Sequence, residues 1–297
     1  MPEEYLGPFY AIATAITWAI GVIFFKQATQ TWSPLALNYF KNVLGVSLFL
    51  VTFPIVGQSF FVDAPVEDIV YLLVSGALGI GIADTLFFKC LTLLGAARSA
   101  IVECLYSPCI VLFSFALLGE TITLIDILGA AFILSSIVLC AGELRTSEDL
   151  SRQDLMRGFG FGALAMVLMG ISIVAIKPTL EIYPVLWSAT FRFIGGIIIL
   201  TLWAPLSAEG LIPILRKFVP GSHWRSAFPG AIVGTYIAMF FWVSGFKYGD
   251  ASVTAILNQT ATIFTVLLAG LVLKETLTRK NLFGVGAAFG GAILVLI

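Results

Sequence analysis

The chain has 297 residues, 59% of them hydrophobic and 11% charged, with a formal net charge of −1. A soluble domain is about a quarter charged, and a mean hydropathy of +1.03 is more than a water-soluble interior can absorb, so the solvent must be largely lipid. No basic cluster points to nucleic acid, and the single histidine, His223 in a polar loop, leaves no histidine-based metal or triad chemistry.

The first residues, MPEEYLGPFY, place acids where a signal peptide needs a positive region, and no small-residue cleavage site comes after them. About 20 apolar residues cross a bilayer as a helix. Ten segments qualify: Pro8–Gln27, Pro34–Val56, Ile69–Leu91, Ala97–Leu118, Ile122–Ala141, Gly158–Thr179, Val185–Pro205, Phe228–Tyr248, Ala251–Leu273 and Asn281–Ile297. They lack the alternation of barrel strands and run about twice their length. Two connections are long. Residues 143–157 (ELRTSEDLSRQDLMR) read as a polar linker between halves 1–142 and 158–297, and residues 207–227 as an interfacial loop with Trp224 as a headgroup anchor. Cys90, Cys104, Cys109 and Cys140 lie in apolar segments without metal-ligand spacing and read as buried free thiols.

The halves align. Lys26 matches Lys177 and Lys41 matches Arg192 at a separation of 151; Ser99 matches Thr254, Glu103 matches Asn258, Ser107 matches Thr262 and Glu120 matches Glu275 at 155. A repeat of five helices is odd-numbered, so its second copy must enter the membrane inverted. Inverted repeats characterise secondary transporters, whose site lies at the repeat interface. The expected fold is therefore an all-α polytopic membrane protein, ten transmembrane helices as two inverted five-helix repeats. Scattered glycines read as close helix packing, or as points that let helices rock.

The fourth segment carries Ser99, Glu103, Ser107 and Ser114 on one face, with Tyr106 beside them; the ninth carries Thr254, Asn258, Thr262 and Thr265, with Gln259 adjacent. These polar stripes should face the bundle interior, either as hydrogen-bonded packing or as the wall of a wet cavity. At 1.5 Å per residue, Lys41, Asp84 and Glu103 lie about 10 Å from one membrane face and could meet in a charged layer. One carboxylate there could titrate and couple transport to protons; alternatively Lys41 forms a static pair with Asp84 or Glu103. Among Trp18, Phe40, Phe88, Trp187, Phe191 and Trp242, packing is the default role, and Trp18 and Trp187 are the candidates for a cavity. Pro108 should kink the fourth helix. Glu120 and Glu275, at their helix ends, should cap the following helix or tie the loop.

The segments LLGETITLIDILGAAFIL and LVLKETLTRKNLFGVGAAFGGAILVL resemble the GE-x-L-T-x-x-x-x-x-G pattern of the EamA family of the drug/metabolite transporter superfamily, with Lys274 in place of the usual Gly before Glu275. Lys41 and Arg192 also match the family's early basic residue in helices two and seven. The resemblance covers nearly the whole chain. It implies a small-molecule transporter of the cell (inner) membrane, often an exporter of amino acids or other metabolites, with a cavity lined by helices one to four and six to nine. The resemblance implies cytoplasmic termini, whereas Lys and Arg concentrate in the odd-numbered loops, which puts the termini outside; the two expectations disagree. No enzyme activity, cofactor or nucleic-acid partner is expected, because no nucleophile–base pair or metal ligand set is visible. A lipid-active enzyme, a channel and a scaffold are the competing classes. The expected partners are the lipid bilayer, a small polar solute and, on the coupling reading, protons.

Overall fold

The computed structural model describes residues 5–121 and 151–275, together with residues 124, 127, 128, 131, 132, 279, 283, 286, 287 and 290. The described residues contain no strand. Eight helices among them are long and apolar enough to cross a membrane: α1 (Leu6–Ala28), α2 (Pro34–Ile55), α3 (Val66–Leu94), α4 (Ala96–Leu118), α5 (Arg152–Val174), α6 (Val185–Leu206), α7 (Trp224–Tyr248) and α8 (Ala251–Val272). They match eight of the ten expected segments. The other two, Ile122–Ala141 and Asn281–Ile297, lie outside the described residues except for a few positions, as does Cys140.

Local chemistry sets the boundaries. Ser33 caps α2, its hydroxyl accepting from the Ala36 N–H at 3.3 Å, with Pro34 at the first helical position. Ser151 accepts from the Asp154 N–H at 3.1 Å. That cap starts α5 at Arg152, so the end of the expected linker is helical. After Val174 the chain turns into a separate short helix, Lys177–Ile182, opened by Pro178 at its second position. In the 207–227 region a short helix forms at Leu211–Arg216, and α7 begins at Trp224. Trp224, read as a headgroup anchor, also packs: its ring lies 4.8 Å from Phe40 and 5.5 Å from Phe228, and its Nε1 donates to the Lys217 carbonyl at 3.0 Å.

The repeat relation is carried by irregularities as much as by residues. α3 widens into a π-type turn at Ala77–Ala83, and α7 does so at Ile232–Ile237; the starts are 155 positions apart. α4 is interrupted at Cys104–Leu105 and α8 at Gln259, again 155 apart from Cys104. Pro108 accounts for the first interruption, since a proline removes the bond to the carbonyl four residues back. The second has no proline, so the break belongs to the architecture.

Packing between the halves follows the same exchange. α1 lies on α7 and α8, and α5 lies on α3 and α4; α2 meets α7 as α6 meets α3; α2 meets α6, and α4 meets α8. Each of these contacts recurs when the halves are swapped, as a pseudo-two-fold requires. Both carboxylates at the helix ends cross this interface. Glu275 accepts from the Ala96 and Ala97 N–H groups at 2.8 and 3.0 Å, capping α4, and Glu120 accepts from the Ser252 hydroxyl at 2.7 Å at the start of α8. The expectation of a cap on the following helix is thus corrected: each reaches the repeat-related helix of the other half. Gly95 leaves room for this carboxylate, since its φ is +84° and an added Cβ would stand 3.0 Å from Glu275 Oε1.

Lipid tails are as apolar as leucine, so helices in a bilayer associate through close packing and polar contacts. Backbones touch at several crossings: a Cβ added to Gly21 would sit 2.3 Å from Gly234 Cα, one on Gly76 would sit 1.8 Å from the Arg192 carbonyl oxygen, and one on Gly195 would sit 2.0 Å from that of Leu73. Large apolar side chains such as Phe9, Leu50, Leu112, Phe115 and Leu271 are exposed on the outside, where lipid would cover them. Cys90 and Cys104 are buried free thiols, as expected, while the free thiol Cys109 is only half-buried.

Gly76→Ala and Gly195→Ala should each force α3 and α6 apart and lower stability by about 1–3 kcal/mol or more. Gly160→Ala, where an added Cβ meets nothing within 4 Å, should be neutral or stabilising by about 0.5–1 kcal/mol. Thermal unfolding of the purified variants in detergent distinguishes these outcomes.

Candidate functional site

The irregular turns surround a central cavity of about 90 Å³, room for several waters or one small solute. Eight repeat-related pairs contribute both members to its wall. Gly79 and Gly234, Ile80 and Thr235, Asp84 and Met239, Glu103 and Asn258, and Tyr106 and Ala261 stand 155 apart; Ala15 and Met166, Trp18 and Met169, and Lys41 and Arg192 stand 151 apart. The cavity therefore lies on the interface of the two halves, contributed equally in position and unequally in chemistry. Carboxylates and the phenol come from the first half. The two amides, Asn258 and Gln259, and all three methionines, Met166, Met169 and Met239, come from the second.

Lys41, seven residues into α2, donates to Asp84 Oδ2 at 2.7 Å and to Asn42 Oδ1 at 3.0 Å. Both members of the ion pair are buried. Asn38, one turn earlier on α2, donates to the carbonyls of Ile80 and Gly81 at 2.8 and 2.9 Å. Those carbonyls lie in the π-type turn, whose altered bonding leaves main-chain acceptors to be satisfied from outside. α2 thus holds the turn in place and neutralises its end in one surface. Of the two static pairs considered for Lys41, the structure forms the one with Asp84.

Glu103 accepts from Trp18 Nε1 at 2.5 Å. No basic side chain among the described residues forms an ion pair with it. The interruption after Glu103 brings Tyr106 onto the cavity wall, while Ser107 is buried away from it. In α8, Asn258, Gln259, Ala261 and Thr262 line the cavity; Thr262 donates to the Ala100 carbonyl at 3.3 Å.

Arg192 is fully buried. Its Nη1 donates to Ser75 Oγ and, at 3.4 Å, to the Ser172 carbonyl. The guanidinium carbon lies 5.1 Å from the centre of the Trp242 ring. Among the described residues its Nε and Nη2 have no hydrogen-bond partner, and neither do the Tyr106 hydroxyl, the Thr235 hydroxyl or either end of the Asn258 amide. Trp242 lies beside the Tyr106 hydroxyl but outside hydrogen-bonding geometry. Buried polar atoms are ordinarily paired, and these unpaired ones belong to residues that line one cavity.

Nine of the thirteen expected site residues meet here: Trp18, Lys41, Asp84, Glu103, Tyr106, Arg192, Asn258, Gln259 and Thr262. Four do not. Ser99 contacts Cys90 Sγ at 3.5 Å, Ser107 is buried in helix packing, and Thr254 donates to the Gly245 carbonyl at 3.1 Å. Trp187 packs against Tyr183 and Phe191 in tilted ring pairs, with centroids 4.8 and 4.6 Å apart. The stripes thus divide between cavity and helix packing. Trp242, assigned to packing by default, lines the cavity, as do Thr14 and Thr235. The position of Thr235 was readable as the repeat counterpart of Ile80, four residues before Asp84. For Thr14 the sequence holds no comparable signal.

Residues 5–142 and 156–297 each match the sequence profile of the EamA-like transporter family. A curated relative from Helicobacter pylori, described as an uncharacterized transporter, is 28% identical over 144 residues, covering 48% of this chain and 46% of its own. The chain thus spans about half the length of the curated relative it matches. A crystal structure described only as that of a protein superposes with a TM-score of 0.75 at 20% identity, covering 97% of this chain and 96% of that one; at that identity the likeness shows the fold alone.

Breaking the Lys41–Asp84 pair by Asp84→Asn should destabilise the protein by about 3–5 kcal/mol, because it leaves a buried cation uncompensated. The double variant Lys41→Met/Asp84→Leu should recover most of that loss. A double-mutant cycle read by thermal unfolding checks both statements.

Proposed function

The chain belongs to the EamA-like transporter family, and we propose that it is a secondary carrier that moves a small polar metabolite across the cell (inner) membrane by alternating access. It is an integral, multi-pass membrane protein with eight helices of spanning length among its described residues. In this reading the full architecture is ten helices as two inverted five-helix repeats. The observation that carries the proposal is the central cavity at the repeat interface, with its unpaired Arg192, Tyr106 and Asn258 groups. A site between two repeats becomes accessible from either face when one repeat rocks on the other. The backbone crossings at Gly21–Gly234 and Gly76–Arg192 supply surfaces without large interlocked side chains, and the Glu120 and Glu275 contacts tie one helix start in each half.

The solute we favour is a zwitterion such as an amino acid or a related metabolite, since the cavity has an acidic first-half wall and a cationic and amide-bearing second-half wall. Coupling to protons is assigned to Glu103 before Asp84. Asp84 is held by Lys41 at 2.7 Å, whereas Glu103 faces the cavity with one Trp18 donor and no basic partner, so a proton or a cationic group of the solute can compete for its free oxygen. Intramembrane carboxylates of this kind form the proton relays of transporters.

Reconstituted into proteoliposomes preloaded with an amino-acid mixture, the protein should catalyse saturable, competable counterflow. Glu103→Gln should abolish accumulation driven by an imposed pH gradient while leaving counterflow intact. Pump-like accumulation that persists in Glu103→Gln would remove the coupling assignment, and absence of any counterflow would remove the carrier reading.

A further inference from the structure

Lys41 and Arg192 occupy equivalent positions in the two halves, yet their surroundings differ in one decisive respect. Lys41 has Asp84 at 2.7 Å. The residue at the position equivalent to Asp84 beside Arg192 is Met239. Among the described residues no carboxylate pairs with Arg192. A fully buried guanidinium without a counter-charge is costly, and the cost is met when a bound anion supplies that charge.

The free atoms also have a shape. With Nη1 anchored on Ser75 and Ser172, the unpaired pair is Nε and Nη2. These two share one edge of the planar guanidinium and present two parallel N–H groups, the fork that matches the two oxygens of a carboxylate. Gly79 lets α3 pack close to this edge: an added Cβ there would stand 2.2 Å from Ser172 Oγ and 3.3 Å from Nη2. The unpaired Tyr106 hydroxyl and Asn258 amide line the same cavity and can take the remaining polar groups of the guest.

Resting on the carrier reading above, we propose that Arg192, and not its repeat counterpart Lys41, is the residue that receives the anionic group of the solute, and that this group is a carboxylate held side-on by Nε and Nη2. Lys41 is then a structural cation, and the duplication has produced one neutralised position and one ligand-binding position.

The test is binding, separate from transport. Purified protein in detergent is titrated with a panel of 2-amino, 2-hydroxy and 2-oxo acids, with the carboxamide of each, and with inorganic phosphate. Thermal stability and tryptophan fluorescence (Trp18 and Trp242 both line the cavity) report binding. At least one acid should bind saturably, and its carboxamide should bind at least about tenfold more weakly, as loss of a charge-assisted bidentate contact requires. In Arg192→Lys and Arg192→Gln the acid-to-amide ratio should fall toward one. A residue that only braced the fold would lower stability in these variants without changing that ratio. The wild-type comparison of acid and amide needs no variant to fold. The proposal is overturned if no acid in the panel binds, if acid and amide bind alike, if the ratio survives Arg192→Gln, or if phosphate binds more tightly than every acid. Selective acid binding without counterflow would sink the carrier reading and leave this assignment standing; counterflow of solutes lacking an anionic group would do the reverse.

Discussion

A cation buried in a membrane protein must be neutralised or used, and this constraint organises the molecule. Each half places one cation seven residues into its second helix, at Lys41 in α2 and Arg192 in α6. Both are sealed from solvent, at 1% and 0% exposure. The first is closed off by Asp84, which sits at the end of a π-type turn whose carbonyls are bound by Asn38. The turn, the pair and the second helix therefore form one unit. The second cation is only half closed off, by Ser75 and the Ser172 carbonyl. Arg192 lines the cavity, and its Nε and Nη2 have no hydrogen-bond partner among the described residues.

The same duplication that makes the halves packable makes them chemically unequal. Backbone features that set helix direction recur at the repeat spacing: the widened turns of α3 and α7, the interruptions of α4 and α8, and the carboxylates that cross to cap or tie the opposite helix. Side chains at equivalent wall positions have diverged, with Asp84 against Met239 and Glu103 against Asn258. The packing contacts between the halves recur when the halves are exchanged. Methionines on the second-half side add a flexible, polarizable surface.

Several basic residues that crowd one set of loops turn out to have partners in the fold. Lys26 donates to the Leu91 carbonyl at 3.0 Å, Lys89 lies over the Phe161 and Trp203 rings at 5.2 and 5.5 Å, and Lys217 donates to the Thr31 carbonyl at 2.7 Å. Cations near helix ends complete unpaired carbonyls, so they are held there by packing as well as by any preference for one side of the membrane.

Much of the architecture was legible in the sequence because lipid imposes simple rules on it. A spanning helix needs a long apolar run, and a duplicated gene leaves its spacing, so the eight described helices, the alignment at 151 and 155, and the candidates Lys41, Asp84, Glu103, Arg192 and Asn258 could all be read from the chain alone. The stripes were less faithful guides. Helical periodicity assumes an unbroken helix, and the interruptions at Cys104–Leu105 and Gln259 rotate the next helical turn, bringing Tyr106 inward and leaving Ser107 to packing. Sequence by itself determined which residues are costly to bury and where they recur, since that depends on composition and spacing along one chain. The tertiary structure alone decided which partner each one takes: Lys41 meets Asp84 rather than Glu103, Glu103 meets Trp18, and Arg192 keeps its Nε and Nη2 unpaired. Those outcomes depend on how helices far apart in the chain cross one another, and distances across a crossing are not written in either helix.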